Sequence, residues 1–482
     1  MPMIWRAGAA LAVLAGSMAQ ADTLRDALVR TYAANPTVTG ARARLRAIDE
    51  NVAIARSDGR PRLTGTAAVT QSYNGVHLRD GGRVFTGGVD LDIPIFQGGG
   101  VKNAVRAADA RVVAGRADLR ATEGDVFTDA VAAYMDVIRD TSIVDLNANQ
   151  VKVLETNLQA SKDRFEVGDL TRTDVAQSEA RLSLARSQFA TAQGQLTVSR
   201  ENYLRIIGSP SGTLEPPPPL PPLPPTPDQA VDTALANNPD LISASAGAQA
   251  AAFDVRTANA GRLPTLSAVT GASYNNFLGT EDRVIGATGP DQTDARIGLT
   301  ARIPLYQGGG VAARVRQAKA SESQALEQTI ATERFVIADV RGSFASYQAA
   351  KERIVASEAA VAANTLALEG TRAENSAGTR TILDVLNAEQ ELLNSQVSLV
   401  TARRDEYVAG FALLNAMGKA EMRDLGLDGG ALYDPVANYR DVSRRASDWG
   451  TGKDPTPQAT RTNGNTPSPV VNPVLHYDLP IK

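Results

Sequence analysis

Apolar and polar positions alternate along this chain with two different periods. Leu63, Gly65, Ala67 and Val69 alternate with Thr64, Thr66, Ala68 and Thr70, and Val89, Leu91, Ile93 and Ile95 alternate with Asp90 and Asp92. Further on, Ile297, Leu299, Ala301, Ile303 and Leu305 stand against Thr300 and Arg302. Period two with one apolar side predicts strands, two before residue 98 and two more before residue 308. Charge occupies one face only, a pattern that fits a lipid-facing exterior around a wet interior. An antiparallel sheet with one solvated face is the other reading of the strands alone.

Each strand pair leads into a proline-free segment, Gly98 to Gly208 and Gly308 to Gly418, interrupted near Gly168 and Gly378. These segments predict helical hairpins of unusual length, in which an arm of roughly 60 residues at 1.5 Å each reaches about 90 Å. In the first return arm Val175, Leu182, Phe189, Leu196 and Tyr203 recur every seven residues, with Ser178, Ala185, Ala192, Ser199 and Ile206 at the second heptad site. The later arm sets Val385, Leu392, Leu399, Glu406 and Leu413 against Ala388, Ser395, Ala402, Ala409 and Ala416. Large residues at one site and small ones at the other let helix axes approach closely, which predicts antiparallel coiled coils. Ahead of each strand pair, a short helix ends at Asn35-Pro36 or Asn238-Pro239, and a second runs to Gly59 or Gly261.

The two halves repeat one another. Gly168, Thr171, Asp174, Val175, Glu179 and Leu182 map onto Gly378, Thr381, Asp384, Val385, Glu389 and Leu392, each 210 residues later. The repeats are expected at 22–208 and 228–425, joined by a linker at 209–227 whose Pro-rich core, Glu215 to Pro225, favours extended polyproline II. Residues 426–482, rich in Pro, Asn, Thr and Arg, are expected to be irregular. At the start, Arg6, an apolar stretch from Ala9 to Ala15 and Ala19-Gln20-Ala21 have the order of a signal peptide, 1–21, cleaved after Ala21.

The chain has no cysteine, so disulfides, thiolate metal sites and a lipidated cysteine are excluded. Beyond the signal no apolar run is long enough for a membrane-spanning helix, which leaves a closed β-barrel as the way across a membrane. Four strands are too few to close one, since small membrane barrels need about eight, so the protomer must share a barrel with copies of itself. The fold class that follows is an α+β membrane protein with long coiled-coil hairpins, internally duplicated.

Net charge is −4, with basic residues scattered, so nucleic acid is not an implied partner. The Gly98 and Gly308 triplets lack the Lys-Ser/Thr of a phosphate loop. His77 and His476 have no metal-ligand companion. With no nucleophile-base-acid set either, no enzymatic activity, cofactor or metal is expected.

Duplication, two strands per copy, "IPIFQGGG" and "IPLYQGGG" at the strand-to-helix turns and "AGTRTILDVLNAEQEL" at the second hairpin turn resemble the TolC family of outer-membrane channel proteins over residues 22 to 425. The resemblance implies a homotrimer with a twelve-stranded barrel in outer-membrane lipid, four strands from each subunit, and a helical tunnel across the periplasm. Its implied role is export of proteins or small toxic compounds with a periplasmic adaptor and an inner-membrane transporter. A helical filament protein of the cell surface is the alternative function.

Family positions carry over as follows. Asp384 matches a constriction-ring aspartate; a second ring often lies three residues on, where this chain has Asn387, implying a less negative constriction. Arg380 resembles a latch arginine facing the other hairpin, where Asp174 sits. An aromatic common three residues before the second-copy glycine is Asn375 here, whereas the first copy keeps Phe165. Gly168, Asp169, Leu170 and Thr171, with Gly378, Thr379, Arg380 and Thr381, match the positions where adaptor hairpins dock. Without the resemblance, these residues read as glycine turns and solvated charges.

Overall fold

The computed structural model describes residues 22–74, 79–426, 432–452 and 454–464. The expected signal peptide, His77 and His476 lie outside them. The first half runs α1 Leu24–Ala34, α2 Pro36–Ser57, β1 Arg62–Asn74, β2 Arg79–Gln97, α3 Gly100–Glu166 and α4 Arg172–Ile207. The second repeats the order with α5 Pro227–Asn237, α6 Pro239–Ala260, β3 Thr265–Asn276, β4 Asp291–Arg302, α7 Gly310–Ser376 and α8 Ile382–Ala416. A last helix, α9, spans Ala437–Val442.

The hairpin arms are unequal, and the expected length of roughly 60 residues fits only the outgoing arm. α3 and α7 have 67 residues each, whereas α4 has 36 and α8 has 35. At 1.5 Å per residue the outgoing helices reach about 100 Å and the return helices about half of that. The shortfall is covered by α2 and α6. Ser161 and Ser178 meet at 3.2 Å in the tip half of the first hairpin, where α4 lines α3. Nearer the strands, α2 replaces α4: Val52 packs on Ala108 and Val112, and Arg42 pairs with Glu123 at 3.4 Å. A Cβ at Gly115 of α3 would lie 2.9 Å from the Ile48 Cδ1 atom, so glycine there permits the close approach of the axes.

The Asn-Pro pairs, which the sequence marks as helix ends, are joints. Asn35 Oδ1 accepts the amides of Thr37 (2.8 Å) and Val38 (3.4 Å), capping α2, while its Nδ2 donates to the Ile206 carbonyl at the end of α4 (2.8 Å). Asn238 does the same for α6 and α8, accepting from Asp240 (2.9 Å) and Leu241 (3.2 Å) and donating to the Ala416 carbonyl (2.9 Å). Proline follows at the first helical position, where its missing N–H is no loss. One side chain thus satisfies orphan groups on two helix ends, setting α4 and α2, and α8 and α6, end to end.

On α4 the heptad positions from Ser178 to Ile206 are buried as the periodicity requires. α8 buries a further stripe one residue out of phase, Leu386, Leu393, Tyr407 and Leu414, and Leu386 packs with Val151, Leu154 and Phe189 of the other hairpin. α7 leaves Leu326, Phe335, Val355 and Leu366 at least half exposed.

The strands form one antiparallel sheet in the order β1-β2-β3-β4. Its register aligns Leu63, Leu91, Thr270 and Ile297 across one face and Thr64, Asp90, Gly271 and Arg296 across the other, where Arg296 pairs with Asp90. The apolar face is bare: Leu63 is 70% exposed, Ile297 90% and Leu299 71%. Two alternation readings are corrected at the helix-proximal end. An irregularity between Pro94 and Phe96 sets Phe96 opposite Leu266, on the apolar face assigned above to Ile95. β4 ends at Arg302, opposite Thr265 at the start of β3, so among the described residues Ile303 and Leu305 find no cross-strand partner, and they stay exposed.

The largest core lies where the helix joints meet α3 and α7, around Phe127, Tyr134, Tyr203, Val340, Phe411 and Met417. The Pro-rich linker packs onto it through Leu220 and Leu223, and the Tyr134 hydroxyl donates to the carbonyls of Asp22 (2.8 Å) and Glu215 (2.7 Å). Among the described residues after 426, the short helix α9 lies along α2, with Tyr439 packed near Val52.

Replacing Asn238 by Ala removes a cap and a buried bridge together. Stability is expected to fall by about 1–3 kcal/mol, with Asn238→Asp, which keeps the acceptor but loses the donor, in between. Thermal unfolding in detergent followed by far-UV circular dichroism measures both.

Candidate functional site

The two hairpin tips, farthest from the sheet, are built alike. α3 stops at Glu166 and α7 at Ser376, and the chain reverses through Gly168 (φ +89°) and Gly378 (φ +80°). A Cβ at either glycine would meet open space, so the requirement for glycine is the left-handed backbone alone. The amides of Asp169 and Thr379 reach back to the carbonyls of Arg164 (2.8 Å) and Glu374 (3.0 Å), closing both helix ends.

Each return helix opens with a capping box. Thr171 Oγ1 accepts the Asp174 amide and Asp174 Oδ2 accepts the Thr171 amide (2.9 Å) and hydroxyl (2.7 Å). Thr381 and Asp384 repeat it, at 3.1 and 2.7 Å. The threonine hydroxyl and then its amide hold both carboxyls below the usual carboxylate range, with Arg380 adding a smaller contribution at Asp384. Both aspartates are therefore anionic at neutral pH and engaged with their own helix ends, where the dipole also favours negative charge.

The chain does not bring Asp174 and Arg380 together. Arg380 Nε donates to Glu374 at 2.8 Å, inside its own turn, and the Asn375 amide holds the Arg380 carbonyl at 2.8 Å. Asn387 accepts a bond from Arg181 of α4 at 2.5 Å, so the two return helices touch beside Asp384. Gly168, Asp169, Leu170 and Thr171 form one turn, and Gly378, Thr379, Arg380 and Thr381 the other.

Sequence reasoning missed the residue that ties the hairpins together. Glu389, 3% exposed, accepts from Asn157 of α3 (2.9 and 3.1 Å) and from Arg372 of α7 (3.0 Å). Its 210-residue counterpart Glu179 is exposed and pairs with Lys162, at 3.2 Å. The repeat register flagged both glutamates, but nothing in it separates a buried hub from a surface ion pair. Among the described residues no cluster of three metal-capable side chains occurs, and no helix is long and apolar enough to cross a membrane.

A family model described as Outer membrane efflux protein matches residues 27–209 and 230–419. The outer membrane efflux protein BepC of Brucella suis biovar 1 (strain 1330) is 35% identical over 431 residues, covering 89% of this chain and 92% of that protein. Outer membrane protein TolC of Escherichia coli (strain K12) is 27% identical over 441 residues, 87% of each chain. In fold, the chain is similar to the Campylobacter jejuni CmeC outer membrane channel, with a TM-score of 0.73 at 17% identity, over 87% of this chain and 89% of that one.

Two outcomes test the tips. Glu389→Ala strips two donors of their acceptor and is expected to cost about 2 kcal/mol in thermal unfolding, while Glu179→Ala stays within about 0.5 kcal/mol. For Asp174 and Asp384, folded pKa values below the unfolded ones mean that the capping contribution is complete above the usual carboxylate range and is lost as pH falls through the depressed values. Amide exchange at residues 171–175 and 381–385, corrected for intrinsic rates, should therefore keep its protection from pH 7 to 5 and lose it below about pH 4.

Proposed function

Since the chain belongs to the outer membrane efflux protein family, whose members are channels of the outer membrane and not enzymes, we propose that three copies assemble into one export conduit. Each duplicated protomer contributes four strands to a twelve-stranded barrel, and the helices continue it as a tunnel through the periplasm. The observation that carries this reading is the sheet itself: four strands, two open edges and a bare apolar face. Lipid tolerates such a face but no unpaired strand edge, so β4 of one copy must pair with β1 of the next until the ring closes. The uncovered apolar residues of α7, from Leu326 to Leu366, supply a matching helical contact between neighbours. A surface filament has no use for the bare sheet.

Export then proceeds with an inner-membrane transporter and a periplasmic adaptor, whose hairpins dock at Gly168–Thr171 and Gly378–Thr381. The leader 1–21 is removed, the repeats 22–208 and 228–425 form the conduit, 209–227 links them and 426–482 follows. Three Asp384 carboxylates, flanked by Asn387, make the narrowest ring at the tips and favour cations. Arg380 serves as the entrance latch by exchanging Glu374 for Asp174 of the facing hairpin. The present pair is exposed on both sides, and such pairs contribute only about 0–1 kcal/mol, so the exchange costs little.

Single-channel current across a planar bilayer, with residues 22–482 beside Asp384→Ala, tests both levels. Discrete cation-selective steps are expected, with selectivity and block by multivalent cations reduced in the variant. Unaltered selectivity would remove the ring assignment while keeping the channel. A folded oligomer without steps would remove the channel.

A further inference from the structure

Residues 433–445 form a strap along α2. The Tyr433 amide donates to the Tyr32 hydroxyl (3.0 Å), and Arg42 lies over both tyrosine rings, 4.0 Å from the Tyr32 centroid and 5.2 Å from that of Tyr433. Further on, Asn438 donates to Asp49 (2.9 Å) and the Tyr439 hydroxyl to Asp109 of α3 (2.8 Å). At the far end Arg56 donates to the Ser443 carbonyl (2.8 Å) and Arg60 to the carbonyls of Arg444 (3.3 Å) and Arg445. The strap therefore travels from the helix joint to the foot of the sheet, where Arg62 opens β1 and Leu63 begins the apolar face.

What it delivers there is basic and aromatic. Residues 56–62 and 440–449 carry six arginines against three aspartates, a local charge of +3 in a chain whose net charge is −4. Arg444 and Arg445 are exposed, and Trp449, four residues on and thus within about 14 Å of Arg445, is 95% exposed. Arg62 and Arg445 pair with Asp58 and Asp441 in pairs at least half exposed on every side chain, which exchange readily for another anion. Two further aromatics, Phe96 and Tyr306, are exposed at the same end of the strands, just before the glycine turns.

We propose that the C-terminal strap places Arg444, Arg445 and Trp449 at the periplasmic rim of the apolar band, where, with Arg60 and Arg62, they bind the headgroups of anionic phospholipids. This rests on the reading of the bare sheet face as the lipid-facing wall. The chemistry fits from both sides: guanidinium forks match phosphate oxygens, and an indole with an apolar ring and a polar N–H belongs at headgroup depth. A peptide partner would need a pocket for its side chains, whereas these groups project from a rim.

The chain contains two tryptophans, Trp5 and Trp449, so in residues 22–482 Trp449 is the sole indole. That chain is reconstituted into phosphatidylcholine vesicles with or without phosphatidylglycerol, each brominated near the headgroup, and Trp449 quenching is read alongside conductance. Quenching with a blue shift is expected when phosphatidylglycerol is present and much less without it. Arg444→Gln and Arg445→Gln should each weaken that preference roughly fivefold and leave conductance unchanged. Equal quenching in both lipids, or none in conducting vesicles, overturns the proposal and leaves the channel standing. Vesicles that never conduct overturn the channel reading, and the strap's role with it.

Discussion

A strand whose amide groups face hydrocarbon must find a partner for every one of them, and this requirement governs the rest of the molecule. Within one chain β2 and β3 have a neighbouring strand on both sides, while β1 and β4 each have one bare edge. In the proposed barrel, these two edges are where one copy pairs with the next. Inside the sheet, polarity is divided by register: Asp90 and Arg296 neutralise each other on one face while leucine and isoleucine line the other. Such a division suits a wall with water on one side and acyl chains on the other.

Much of this was legible in the sequence because periods two and seven are strong signals when sustained. The strands and their two faces, the hairpins and the buried column on α4 followed from them. Periodicity reports that a face is buried but not by what. That α2 and α6 continue the short return arms was not legible because they supply the same kind of surface, and the second column on α8 was invisible because it serves a helix far away in sequence. Asn35-Pro36 carries a correct stop signal, yet no local rule says that another helix resumes the axis. The irregularity before Phe96 and the docking of Tyr433, Asn438 and Tyr439 depend on tertiary partners in the same way.

At the tips, Thr-x-x-Asp forms a capping box at both turns, a role that the reading of these residues as glycine turns and solvated charges left out. What local sequence does not separate is the carboxylate's service to its own helix from the pore role proposed for it. One Asp384 oxygen takes both bonds from Thr381, which leaves the other free while the cap fixes the side chain. The two halves also carry unequal loads: Glu389 is a buried hub and Glu179 a surface residue, although their neighbourhoods repeat in register. Repetition in sequence specifies the shared backbone, and contacts between the halves then make equivalent positions different.

The asparagine joints have a mechanical meaning. α3 and α7 are unbroken rods, able to carry bending and torsion from tip to sheet. Their companions are spliced at mid-length by a single amide side chain, with no i→i−4 ladder running through the splice. Torque applied at a tip can therefore be relieved by slip at the splice before it reaches the strands. In the trimer proposed above, that makes each protomer a stiff shaft with a compliant sleeve, a construction that lets the tips turn without changing the circumference of the proposed barrel.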